Sequence, residues 1–122
     1  MGFKNFTEPE GAIGFALEVQ DLVWKSEFIP RPCFNCPIAC AYDTVIGRGP
    51  YKGYRATLAG GLENIEGIAG LIGVMEGGTA LYLTDLADKL GFESGQIGSG
   101  IALLYECYEN GIINRDFTNG LE

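Results

Sequence analysis

Cys33-Phe34-Asn35-Cys36-Pro37-Ile38-Ala39-Cys40 puts three thiols into eight residues, directly behind Pro30 and Pro32. Each proline lacks a backbone N–H and fixes its own φ, so a helix entering this stretch must stop and the cysteines begin on extended or turning chain. Three thiols this close cannot all pair as disulfides, and metal binding is their natural use. A zinc knuckle gives two ligands and needs a second pair elsewhere, whereas three thiolates wrapped on one face with a distant fourth suit an iron-sulfur cluster. Zinc binding and an unmetallated structural role are the alternatives. Cys107, the remaining cysteine, is either the fourth ligand or a packing residue, because free cysteine is often simply buried.

The 122 residues leave room for one small domain, and the net charge is −8 with no histidine. That removes the commonest general base, so a Ser-His-Asp or Cys-His hydrolase cannot be built from this chain alone, and it argues against electrostatic binding of nucleic acid. The charge is uneven. Lys25, Arg31, Arg48, Lys52 and Arg55 against Glu27 and Asp43 give residues 25–55 a local +3 around the cysteines. A four-thiolate cluster is an anion, and such surroundings would favour its reduced form. The longest apolar and glycine run, Gly67 to Met75, is too short to span a membrane, and the N-terminus lacks the blocks of a signal peptide. We therefore expect a cytoplasmic chain without membrane or nucleic-acid partners.

Periodicity predicts a mainly α fold with room for a small β-hairpin. Residues 1–10 read as a flexible lead-in or truncated end, and residues 11–122 as one helical domain carrying the cysteine loop over 30–41. A first helix is expected over Gly11 to Ser26, with Ile13, Ala16, Leu17, Leu22 and Val23 inward. The hairpin would pair Tyr42 to Ile46 with Tyr51 to Leu58 around Gly47-Arg48-Gly49-Pro50. Gly60 to Gly78 holds seven glycines, and is either a helix needing close packing or buried loop and turn. A clear helix follows over Thr79 to Leu90, with Ala80, Leu83, Leu86, Ala87 and Leu90 on one face, Asp85, Asp88 and Lys89 opposite, and Gly91 ending it. The last helix runs from about Gln96 to Asn110, with Ile97, Ile101, Leu104, Tyr105 and Tyr108 on its stripe. The tail over 112–122 brings no packed last element, and the fold is expected to continue beyond it.

Asp88-Lys89-Leu90-Gly91-Phe92-Glu93 closes one helix before the next. Beside the cysteine segment, this turn gives the chain a resemblance to the aldehyde ferredoxin oxidoreductase family. In that family a C-F-x-C-P-x-x-C segment holds three ligands of a 4Fe-4S cluster, and a D-x-x-G-L-D turn about fifty residues later binds a pterin. Here Phe92 stands for the leucine and Glu93 for the aspartate. The segment from Gly98 to Gly111-Ile112 is also similar to the family's long helix, so the resemblance covers about residues 30 to 115.

The resemblance implies that Cys33, Cys36 and Cys40 are cluster ligands. It implies that Asp88 and Glu93 accept hydrogen bonds from the pterin, and that the backbone at Gly91 and Phe92 approaches it closely. The implied cofactors are a 4Fe-4S cluster and tungsten, or molybdenum, on two pterins. The implied activity is oxidation of aldehydes to carboxylic acids, with electrons passing to ferredoxin or another carrier. Segments or subunits outside this chain would complete the enzyme. Cys107 falls inside the long helix rather than in the later motif that supplies the family's fourth ligand, which favours its packing role. Ala56, in Gly53-Tyr54-Arg55-Ala56-Thr57, stands where the family has an acid near the metal, so no catalytic residue is assigned and another low-potential reduction on the same scaffold is an alternative. The remaining alternatives are a small electron-transfer or metal-binding module completed by Cys107, and a cofactor-free fragment.

Overall fold

Helix formation begins at a proline: Pro9 takes the first position of α1 (Pro9–Lys25), where its missing N–H is one a helix leaves unpaired anyway. The helix thus starts two residues before the expected Gly11. The computed structural model describes residues 4, 6–58 and 60–120, without the side chains of Pro9, Val23 and Trp24. The lead-in expected over 1–10 falls outside the described residues at 1–3 and 5. Helix α1 buries Ala12, Phe15, Val19 and Leu22, and leaves Ile13 and Leu17 exposed. The inward face is therefore turned from the expected one. Apolar residues run along both sides of the helix, and Phe15 fills the core with the bulk of an aromatic ring.

Three short strands follow as an antiparallel meander in the order β1-β2-β3: β1 (Phe28–Pro30), β2 (Tyr42–Val45) and β3 (Arg55–Leu58). The hairpin expected from the sequence is β2 with β3, in register from Tyr42 opposite Leu58 to Val45 opposite Arg55. The strand β1 was not foreseen. It sits at the sheet edge, where Pro30 removes no donor the ladder needs. Side chains alternate across the sheet, so Thr44, Ala56 and Leu58 face the core while Asp43 and Thr57 face outward.

The glycine-rich stretch resolves into a four-residue helix, α2 (Leu62–Ile65), that widens at once into a π-helical turn over Glu66–Gly70. Its close neighbour is α4 (Ser94–Glu109). A Cβ on Gly98 would overlap the Gly67 carbonyl oxygen and stand 2.8 Å from Ile68 Cα, and one on Gly67 would stand 3.1 Å from Gly95 Cα. Backbones meet there with no side chain between them. Helix α4 accordingly buries Ser94, Gly98 and Ala102, while Leu104 and Tyr105 of the expected stripe are exposed. Glycine at the contact decides which face goes in.

Helix α3 (Gly77–Leu90) lies between, against α1, β3 and α2. It buries Ala80, Leu81, Thr84, Asp85 and Ala87, and Leu90 is exposed. Asp85, expected on the solvent face, is in the core, because its carboxylate meets donors from the sheet described below. Among the described residues the fold is four α-helices and one small sheet, and no helix is long and apolar enough to cross a membrane.

Candidate functional site

The cysteine segment is the loop of the β1–β2 hairpin. Pro30 pairs with Tyr42, and one step further the Arg31 N–H donates to the Ala41 carbonyl at 2.8 Å, closing a neck beneath residues 32–40. Within the loop the Cys36 N–H donates to the Cys33 carbonyl at 3.0 Å. Asn35 and Ala39 have φ of 57° and 49°, so a left-handed residue immediately precedes Cys36 and Cys40. Asparagine tolerates this conformation, whereas alanine gives up roughly 1 to 2 kcal/mol in it. That is local strain stored beside a ligand candidate.

All four cysteines are free thiols, with Cys33 and Cys40 exposed and Cys36 half-buried. The loop thus presents three donors together with Phe34, which is 94% exposed, and Ile38. Among the described residues no three Cys, Asp or Glu side chains are close enough to hold a single metal ion. In a 4Fe-4S cluster each thiolate takes a different iron, so its sulfurs stand farther apart than ligands on one ion. A loop of soft sulfur donors with ample access fits such a cluster by its chemistry. Cys107 is half-buried in the last turns of α4.

The local charge excess is largely spent within the fold. Arg48 bonds Glu18 at 2.6 Å and Asp21 at 2.9 Å, Lys25 pairs with Asp21 at 2.7 Å, and Arg31 reaches Asp43 at 3.3 Å. Of the five cations expected around the cysteines, Lys25 and Arg48 are thus paired with acids of α1 and Arg31 with Asp43 of β2.

The second candidate segment joins α3 to α4. Gly91 is left-handed, with φ of 78°, and the bonds Phe92 N–H to Ala87 carbonyl and Gly91 N–H to Asp88 carbonyl make a complete Schellman turn. Glu93 then caps α4: its two carboxylate oxygens accept from the N–H groups of Gly95, at 3.0 Å, and Gln96, at 2.7 Å. These bonds hold its carboxyl below the usual glutamate value. Each oxygen keeps a second lone pair, so Glu93 retains acceptor capacity beyond the cap. Phe92 is exposed at the turn, and Asp88 is half-buried on the last turn of α3.

Between these segments lies a network that sequence reasoning missed. Asp85, 1% exposed, accepts the Thr57 N–H at 2.8 Å, the Tyr54 hydroxyl at 2.6 Å and Lys89 Nζ at 2.7 Å. Lys89 also donates to the Tyr54 oxygen at 2.8 Å, and its ammonium lies 4.9 Å from the centroid of the same ring. Tyr82 of α3 stacks on Tyr51 at 3.9 Å and meets Tyr54 edge-on. The signal present in the sequence was the Asp85/Lys89 pair at i, i+4, but that spacing is as common on solvated faces. Ala56, between Tyr54 and Asp85's partner Thr57, is 2% exposed in the core.

The tungsten-containing aldehyde ferredoxin oxidoreductases of Pyrococcus horikoshii and Pyrococcus abyssi are each 26% identical over 122 residues, covering 96% of this chain and 18% of theirs. The chain thus spans less than a fifth of the length of these curated relatives. No solved structure matches. Residues 1–122 match the family described as aldehyde ferredoxin oxidoreductase, domains 2 and 3, and the chain belongs to that family.

Proposed function

We propose that this chain is the cluster-holding part of a tungsten-pterin oxidoreductase that oxidises aldehydes to carboxylic acids and passes the electrons to ferredoxin or a similar carrier. The observation that carries the reading is the cysteine loop: three free thiols in eight residues, closed at a hairpin neck, with left-handed residues turning the chain before Cys36 and Cys40. Cys33, Cys36 and Cys40 ligate the cluster. The fourth ligand comes from outside this chain, because the family resemblance places it in a later motif and Cys107 lies within α4. Asp88 and Glu93 accept hydrogen bonds from the pterin, Glu93 through the lone pairs its cap leaves over, and the backbone at Gly91 and Phe92 lies alongside. When bound, the metal-pterin supplies the oxygen-transfer chemistry and the cluster a one-electron outlet. With this reading go a cytoplasmic, anaerobic setting and further segments or subunits of the same enzyme.

A second reading, reduction of another low-potential substrate on the same scaffold, is favoured by Ala56. Its methyl group is buried in the core face of β3, so position 56 offers no acid for the chemistry.

Anaerobic reconstitution with iron, sulfide and a small thiol to occupy the fourth iron tests the first assignment. About four irons per chain, with a broad visible absorption band, are expected. Cys33→Ser, Cys36→Ser and Cys40→Ser should each lose iron, and Cys107→Ser should not. A colourless zinc-loaded protein would overturn the cluster, and iron loss in Cys107→Ser equal to that in Cys36→Ser would favour a self-contained four-cysteine module.

A further inference from the structure

The polar contacts across the sheet lie end to end. Asp85 Oδ1 accepts the Thr57 N–H at 2.8 Å, the Thr57 hydroxyl donates to Asp43 Oδ1 at 2.8 Å, and Arg31 Nη1 donates to the same Asp43 oxygen at 3.3 Å. The Arg31 N–H then closes the loop neck on the Ala41 carbonyl. One end of this path is on α3, three residues before Asp88, and the other is the base of the cysteine loop. Thr57 is the joint, because its N–H serves α3 while its side chain, directly opposite Asp43, serves the outer face of the sheet.

We propose that Asp85, Thr57, Asp43 and Arg31 form one positioning strut that sets the cysteine loop relative to the Asp88–Glu93 turn. Its importance rests on the reading of those two segments as cofactor-holding; the four residues touch no cofactor themselves. Apolar packing holds α3 on the sheet without fixing direction, whereas hydrogen bonds are directional. Thr57 is suited to the joint, since a β-branched side chain has little χ1 freedom. An exposed pair such as Arg31 with Asp43 adds little stability, so the strut acts on geometry more than on folding.

Thr57→Val keeps the shape, the strand preference and the N–H of residue 57 and removes the hydroxyl; Thr57→Ser restores it. Native-state hydrogen exchange on the full 122-residue chain reads the far end of the path. The Arg31 amide is expected to exchange roughly three- to tenfold faster in Thr57→Val, and at the wild-type rate in Thr57→Ser, while α1 amides between Ala12 and Leu22 are unmoved. An unchanged Arg31 amide in Thr57→Val, or equal acceleration in α1, overturns the strut. No metal enters this measurement, so failure of the cluster to assemble defeats the functional reading and leaves the strut standing. In the assembled enzyme, Thr57→Val, which changes no charge, should broaden the electron paramagnetic resonance signal of the reduced cluster at unchanged iron content; a signal identical to wild type would remove its positioning role.

Discussion

Asp85 carries a charge into the core, and its three donors decide whether that charge is tolerable. Burial pushes its carboxyl up, but the hydrogen bonds from Lys89, Tyr54 and the Thr57 N–H outweigh this and hold it below its ordinary 3.8. A carboxyl whose pKa falls on folding adds stability above its unfolded pKa and loses it as pH falls through the folded value. Wild type should therefore lose stability below about pH 4, and Asp85→Asn should lose less over the same range, read as urea midpoints between about pH 6 and pH 2. Asp85→Ala at neutral pH should be costlier, roughly 1 to 3 kcal/mol for each buried donor it leaves unpaired. Glu93 is the contrasting case, an exposed acid whose bonds are to its own helix. Glu93→Ala should lower the urea midpoint as a lost cap, with Glu93→Gln in between. On the proposed pterin reading, the same order should appear in the tungsten content of the assembled enzyme, and full occupancy in the Ala variant would reduce the turn to a helix cap.

Helices α3 and α4 were legible as elements because their apolar spacing and terminal glycines are local signals. Their orientation was not, and the reasons differ. Helix α3 turned because Asp85 finds the Thr57 N–H, 28 residues away in sequence, which no window of neighbours contains. Helix α4 turned because Gly98 and Gly95 admit the π-helical backbone, so Leu104 and Tyr105 of the apolar stripe are left outside while Ile97 still packs against the core. The cysteine loop was legible from residue type and spacing, and the hairpin from its turn, but β1 is three residues long and gives no period to read. Two glycines on one helix test this account. Gly100 has open space around it, so Gly100→Ala should stabilise by roughly 0.5 to 1 kcal/mol. Gly98→Ala should destabilise by at least about 1 to 3 kcal/mol, because the obstacle is backbone that cannot swing aside. Urea unfolding of the two variants separates intrinsic helix preference from contact.

Across the molecule, apolar side chains are left in solvent, at the candidate sites and elsewhere. Phe34 and Ile38 ride on the cysteine loop, Phe92 on the turn, and Ile112 and Phe117 lie beyond α4. A chain of this kind should self-associate when isolated. Phe34→Ser with Ile38→Ser should lower its weight-average mass in light scattering while shifting stability by no more than about 0.5 kcal/mol, since neither residue is packed. The meander has a further consequence at synthesis. Spatial order and chain order coincide in the sheet, and the loop neck needs only β1 and β2, so the hairpin can close around its thiols once residue 45 has left the ribosome, before α3 or α4 exists. From that moment the loop is complete and uncovered. On the cluster reading proposed above, an iron-sulfur donor and an oxidant compete for it there, and protein purified in air should carry these thiols oxidised, read by mass spectrometry, even where its helices fold correctly.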